Sequence, residues 1–158
     1  MKKGECLLDE GQICNHVYFV EKGWLRTFYN RDGKDININF SFEGDFTGNI
    51  KSIKKEQPSS YIIVTGEKSV ITSFDKKDLL KLYSNSSEIE LLCRKIFGAF
   101  LIESNELIDL QKLHSPLERY EFLIKNKPEM IQKIPITQLA SYIGVARETL
   151  SRIRKKQF

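Results

Sequence analysis

The last twenty residues, LASYIGVARETLSRIRKKQF, hold the side chains with the most evident chemistry. Residues 147–156 carry five cations, Arg147, Arg152, Arg154, Lys155 and Lys156, against the single carboxylate of Glu148. The net charge of the chain is +4, so residues 1–146 balance at 20 of each sign and the whole excess sits at the end. Positive charge concentrated on one element suits a surface that faces a polyanion. Helical spacing puts Arg147, Glu148, Ser151, Arg152 and Lys155 on one face. Arginine offers a fork that fits guanine O6 and N7, and glutamate accepts from cytosine N4, so this face suits base edges in a major groove. Its backing is apolar. Leu139, Ile143, Val145, Leu150 and Ile153 fall at inward positions, Ala140 is small where two helices must approach, and Gly144 permits a sharp turn. Thr137 is expected to cap a first helix ending near Ile143, with a second helix over 146–156. The pattern predicts a helix-turn-helix whose second helix does the reading.

Upstream elements must present that face. Seven of the nine glycines, Gly4, Gly11, Gly23, Gly33, Gly44, Gly48 and Gly66, punctuate the first 66 residues. Between them lie HVYFV, WLRTFY, DININFSF, YIIVTG and SVITSF, rich in aromatic and β-branched residues. DININFSF alternates, which predicts Ile36, Ile38, Phe40 and Phe42 on one face and Asn37, Asn39 and Ser41 on the other. Residues 51–60 read as a polar loop. The first ~75 residues therefore predict an antiparallel sandwich or barrel. The pattern then turns helical: FDKKDLLKLY with Asp75 as cap, then a long helix opened by a Ser87/Glu90 capping box. Ile89, Cys93, Ile96, Phe100, Leu107 and Leu110 form a stripe expected to face a second copy of the chain, because half-site readers come as dimers. Leu92, Phe97, Leu101 and Ile108 add apolar surface beside it. Ser115-Pro116-Leu117-Glu118 signs a further helix start.

Other classes find no support. There is no GxxxxGK[ST], HExxH, GxSxG or GxGxxG, which argues against an enzyme. The three cysteines, Cys6, Cys14 and Cys93, lack metal-ligand or disulfide spacing and read as small core residues, and no metal is expected. His16 and His114 have no partner at motif spacing. No run approaches the ~20 apolar residues of a membrane span, and no signal peptide is visible, so a cytoplasmic protein with no membrane partner is expected.

The string Arg147-Glu148-Thr149-Leu150-Ser151-Arg152, with the β-rich opening KGECLLDEGQICNHVYFVEKGWLRTFYNRDGKDININFSFEGDF, resembles the Crp/Fnr superfamily of bacterial transcription regulators. IPITQLASYIGVARETLSRIRKK resembles its short-ended members. The resemblance spans essentially the whole chain. It implies an α+β protein in three parts: a cyclic-nucleotide-binding-like jelly roll (β-roll) over 1–84, a dimerisation helix over 85–113 and a helix-turn-helix domain over 114–158. It implies base contacts from Arg147, Glu148, Ser151 and Arg152, and phosphate contacts from Thr137, Gln138, Arg154, Lys155 and Lys156. Double-stranded DNA, a second copy of the chain and RNA polymerase are the implied partners. A signal in the roll is expected to act on a hinge near His114-Ser115. Relatives carry a helical segment before the first strand, where this chain has almost nothing, as in a truncated chain or a short member of the family.

The cassette that holds cyclic nucleotides in this superfamily departs here. It pairs Gly-Glu, for the ribose, with a later Arg-Ser or Arg-Thr, for the phosphate. The matching segment is GDFTGNIKSIKKEQPSSY, with Asn49 after Gly48 and Ser59-Ser60 where the Arg pair belongs. Gly48, Asn49, Ile50, Ser59 and Ser60 are the pocket candidates. A phosphate would lose a charge-assisted, two-pronged partner worth about 1.5–3 kcal/mol. Lys51, Lys54 or Lys55 offers charge without the fork. No cofactor is expected, and cyclic nucleotide is not expected to bind in the usual way. Two alternatives stand beside this reading: a nucleotide-responsive regulator with a variant pocket, and an interaction module that no longer docks on DNA.

Overall fold

Seven short strands follow the turn sequences: β1 (Cys6–Leu8), β2 (His16–Lys22), β3 (Leu25–Arg31), β4 (Lys34–Ser41), β5 (Phe46–Thr47), β6 (Ile62–Thr65) and β7 (Val70–Asp75). The computed structural model describes residues 1–157, so Phe158 of the expected 114–158 segment lies outside it. The strands pair antiparallel in two sheets, ordered β1-β6-β3-β4 and β5-β2-β7, and close a β-roll on Leu8, Cys14, Tyr18, Val20, Leu25 and Ile63. Cys14 is thus a core residue as expected, whereas Cys6 is exposed and Cys93 half-buried. The stretch expected as a loop over 51–60 holds a short helix, α1 (Ile50–Lys55), capped by the side chain of Asn49. Six residues are too few to show a helical period, which is why the pattern missed it.

The alternation expected in DININFSF fails at one residue. Thr27 pairs with Asn39 and Phe28 with Asn37, so Ile38 is the extra residue of a β-bulge. A bulge reverses the side-chain parity beyond it. Asn37 and Phe40, expected on opposite faces, therefore both reach the C-terminal helices, while Ile36 is left exposed.

Gly66 marks a close approach. A methyl group there would lie inside the ring of Trp24, which is itself buried. Gly66→Ala is expected to destabilise the protein by about 1–3 kcal/mol, the usual range for overpacking a rigid site. Urea unfolding followed by Trp24 emission checks this.

Among the described residues there are seven helices: after α1 come α2 (Lys76–Asn85), α3 (Ser87–Leu113), α4 (Pro116–Asn126), α5 (Pro128–Lys133), α6 (Ile136–Tyr142) and α7 (Arg147–Gln157). Asp75 caps α2, and Ser115 with Glu118 forms the expected capping box of α4. At α3 the cap is Ser86, whose hydroxyl accepts from the Ile89 N–H, and Glu90 instead pairs with Arg94. At α6 the cap position is Pro135, so Thr137 lies inside the first turn and does not cap it. α3 has 27 residues and a length of about 40 Å.

The largest core crosses from the roll to the C-terminal helices. Trp24, Phe40 and Phe42 of the roll cluster with Tyr120, Leu123, Met130, Ile134, Leu139, Ala140, Tyr142, Ile143 and Leu150. Leu107 of α3 packs against this cluster, and Leu110, one turn further along α3, is buried at 4 % exposure. Leu110 is therefore spent within its own chain and is not open to a second copy. Ile96 and Phe100 are also turned inward, lining cavities against the roll. Ile89 and Cys93 are half-buried along the same side. The apolar stripe that α3 leaves outward is the neighbouring one, Phe97, Leu101 and Ile108, with Leu101 65 % exposed.

Candidate nucleic-acid interface and roll pocket

The helix-turn-helix is built from its core outward. Leu139, Ile143 and Leu150 are sealed, Ala140 is buried where α6 and α7 meet, and Val145 and Ile153 close the edges. The Val145 N–H donates to the Ala140 carbonyl at 2.9 Å across the turn. Gly144 takes φ +73°, a conformation that favours glycine. Arg119 of α4 fixes this turn. Its guanidinium donates to the carbonyls of Gln111, His114 and Ile143 at 2.6, 2.9 and 2.8 Å. One side chain so ties the end of α3, the expected hinge at His114-Ser115 and the helix-turn-helix together. The planar guanidinium, with five N–H donors, can serve three carbonyls that diverge from one another; its distance in sequence from the motif hid this role.

With its inner face sealed, α7 shows its polar face to solvent. Arg147, Glu148, Arg152, Lys155 and Lys156 are exposed, and Ser151 and Arg154 are half-buried beside them. The Arg152 Nε donates to the Glu148 carbonyl at 3.4 Å, which holds the guanidinium along the helix. Thr137 is exposed near the start of α6. Gln138 is not free in the same way: its carbonyl accepts from the Asn37 amide, and its side-chain oxygen is buried. Of the residues expected to meet phosphate, Gln138 is thus the one turned toward the roll. The arrangement offers a groove-sized helix bearing forked donors, with lysines at its end for a backbone.

The pocket candidates come together, in an arrangement of their own. Asn49 is buried, its Oδ1 accepts from the Ser52 N–H at 3.0 Å and its Nδ2 donates to the Ser59 hydroxyl at 2.9 Å. The Ser59 hydroxyl donates in turn to the Tyr61 carbonyl at 2.6 Å and accepts from the Tyr61 N–H at 3.2 Å. The Ser59 hydroxyl is therefore saturated, and both ends of the Asn49 amide are engaged by Ser59 and by backbone. A cavity of about 290 Å³ lies beside them, lined by Gly48, Asn49, Ile50, Lys51 and Ser60 of the cassette. Thr27 and Tyr29 of β3, Ile38 and Asn39 of β4, Thr47 of β5, Phe100 and Ser104 of α3, and Tyr61 complete its wall. Thr27 is buried with its hydroxyl unpartnered. Tyr61 meets Tyr29 edge to face, and burial raises its pKa, which keeps the phenol neutral. The one charged group of the lining is Lys51, which is exposed. Sequence reading missed this second half of the wall because its residues come from four separate elements.

A family model described as the cyclic nucleotide-binding domain matches residues 1–86. No curated protein matches the sequence. Among solved structures, FixK2 of Bradyrhizobium japonicum superposes at a TM-score of 0.83 with 17% identity, over 98% of this chain and 80% of that one. A CRP/FNR family transcriptional regulator of Thermus thermophilus follows at 0.77 and 14%, over 99% and 82%. The c-di-GMP-responsive global regulator CLP of Xanthomonas campestris gives 0.75 and 17%, over 99% and 84%. At these identities the likeness is one of fold, and the fold is that of Crp/Fnr regulators. Among the described residues no helix is long and apolar enough to cross a membrane.

Proposed function

This chain belongs to the cyclic nucleotide-binding domain family, and we propose that it is a homodimeric DNA-binding transcription regulator of the Crp/Fnr type, not an enzyme, whose roll no longer answers to cyclic nucleotide. The observation that carries the first part is the α7 face: Arg147, Glu148 and Arg152 stand exposed on a helix whose opposite side is sealed in the core. An ordinary charged helix has no need of a Gly turn, a small residue at the crossing and a forked donor row together. Two copies joined along Phe97, Leu101 and Ile108 present two such helices to successive major grooves, about one DNA turn (~34 Å) apart. The protein so assembled is cytoplasmic and works with RNA polymerase. Fluorescence anisotropy with a mixed-sequence duplex tests this. Binding whose log affinity falls steeply with log salt, with a slope beyond about −4, is the expected result. No binding at low salt would leave the roll as a protein-contact module.

The second part rests on Asn49 and Ser59. Where a nucleotide phosphate needs free donors, the Ser52 N–H is already taken by Asn49 and the Ser59 hydroxyl by Tyr61. No arginine lines the cavity, and an anion would meet only the exposed Lys51. Calorimetric titration with cyclic AMP and cyclic GMP is expected to give no saturable heat up to about 1 mM, corresponding to less than about 4 kcal/mol of binding. Micromolar binding of either would overturn this half of the reading and leave the DNA-binding half standing.

A further inference from the structure

We propose that the tip of the β3–β4 hairpin is a second DNA-contacting element, in which Arg31 and Lys34 hold backbone phosphates of the duplex that α7 reads. The inference rests on the regulator reading. It gives the roll, which holds no part of the helix-turn-helix, a direct share in the interface.

The tip is a two-residue turn, Asp32-Gly33, with φ of +52° and +77°, the left-handed pair that a tight hairpin needs. The strand register then sets Arg31 directly opposite Lys34. Like charges so opposed destabilise a hairpin. Asp35, the neighbouring carboxylate on β4, is already spent: one oxygen accepts from Arg26 at 2.9 Å and the other from the Asn30 amide at 3.0 Å. Asp32 stands in the turn, yet among the described residues no ion pair reaches Arg31, Asp32 or Lys34. Both cations are exposed. The Asn30 side chain also accepts from the Gly33 N–H at 3.2 Å, which stiffens the turn. A stiff tip that holds two uncompensated cations, at a cost to its own stability, suits an anionic partner.

The position of the tip specifies that partner. Beside the end of β4, the Phe42 ring lies 5.9 Å from the Lys133 ammonium. Further back along the strand the Asn37 amide donates to the Gln138 carbonyl at 3.2 Å, and the Ser141 hydroxyl donates to the Asp35 carbonyl at 3.1 Å. From Phe42 back to Asp35 the chain therefore runs from the end of α5 to the last turn of α6. The next residue is Lys34, so the tip continues toward the Gly144 turn that leads into α7. The first residues of α7 are Arg147 and Glu148, at the end of the helix that meets base edges. The core shared by the roll and the C-terminal helices fixes this placement. Cations beside the entry point of a reading helix fall where the groove is bordered by phosphates, and such contacts set register rather than sequence preference.

Fluorescence anisotropy with the mixed-sequence duplex, titrated over a range of salt, compares the wild type with the Arg31→Ala, Lys34→Ala protein. The double substitution is expected to flatten the log–log salt slope by about two units, and so to weaken binding about a hundredfold at about 0.1 M salt and little at about 1 M. Its melting temperature is expected to stay level or rise, because a like-charge pair has gone. Arg31→Lys, Lys34→Arg keeps both charges and is expected to keep the slope. Lys54→Ala, Lys55→Ala removes the same charge from α1 and is expected to change the slope little. Where the wild type binds, an unchanged slope and affinity in Arg31→Ala, Lys34→Ala would overturn the contact and leave an acidic protein surface as the occupant of the tip. Equal flattening by the α1 pair would also overturn it, since the effect would then be one of overall charge. A wild type that binds no duplex at low salt would instead overturn the regulator reading, and the hairpin contact with it.

Discussion

Replacing Arg147 and Arg152 together with alanine is expected to lower affinity for the protein's own site by about two to four orders of magnitude, with the fold unchanged. Each forked contact to a base discriminates by about 1–3 kcal/mol, and each factor of ten in affinity is about 1.4 kcal/mol. Both side chains are exposed on α7, and the core contacts of that helix come from Leu150 and Ile153. Neither substitution removes a packed group, so circular dichroism and the melting temperature are expected to stay within error. The loss should be selective, large for the cognate duplex and small for a scrambled one. Lys156→Ala is the contrasting case, expected to weaken all sequences alike and to flatten the salt slope by about one unit. Equal loss on cognate and scrambled duplexes for the arginine pair would mean that these side chains meet phosphate, and the base-reading role would pass elsewhere on α7.

Leu101→Glu is expected to break the dimer. Leu101 is 65 % exposed at the middle of the outward stripe of α3, flanked one or two turns away by Phe97 and Ile108. Along a two-fold axis the carboxylates of the two copies come to lie close together in an apolar seam. An unpaired buried charge costs about 3–5 kcal/mol, and here there are two of like sign. Sedimentation equilibrium should show monomer at micromolar concentrations where the wild type is dimeric. Affinity for a two-half-site duplex should fall by about a thousandfold or more, because each head then binds alone. Leu110→Glu, on the stripe that sequence reading favoured, should instead unfold the C-terminal core, since Leu110 is buried within its own chain. A dimeric Leu101→Glu protein would place the interface elsewhere.

That contrast shows how far the amino-acid sequence could be read. A 4-3 stripe tells which side of a helix is covered, not by what. α3 carries two adjacent apolar stripes, and spacing alone could not say which of them the roll and the head cover. The helix-turn-helix core was legible because its demands are local: Leu139, Ala140, Ile143, Gly144 and Leu150 sit within a dozen residues, and each does what its type suggests. The roll was legible for a similar reason, its strands being punctuated by turns. What stayed hidden was non-local. Asn37 read as the solvent side of an alternating strand, yet the bulge at Ile38 and the docked α6 bury it. The run Asn37, Asn39, Ser41 held one hint, since these are uncharged hydrogen-bonding residues where a solvent face commonly carries charge. Asn49 was legible as a departure from the nucleotide cassette. That it turns inward, capping α1 and saturating Ser59, follows only from the folded chain.

Two α7 helices that read DNA together should select a palindromic duplex. Selection from a random-sequence DNA library with the purified protein at about 100 mM salt is the measurement to make. The expected result is enrichment of an inverted repeat whose half-sites are centred about 10–10.5 base pairs apart, and loss of that enrichment in the Arg147→Ala, Arg152→Ala protein. Recovery of the library unchanged, or of single half-sites without symmetry, would contradict it.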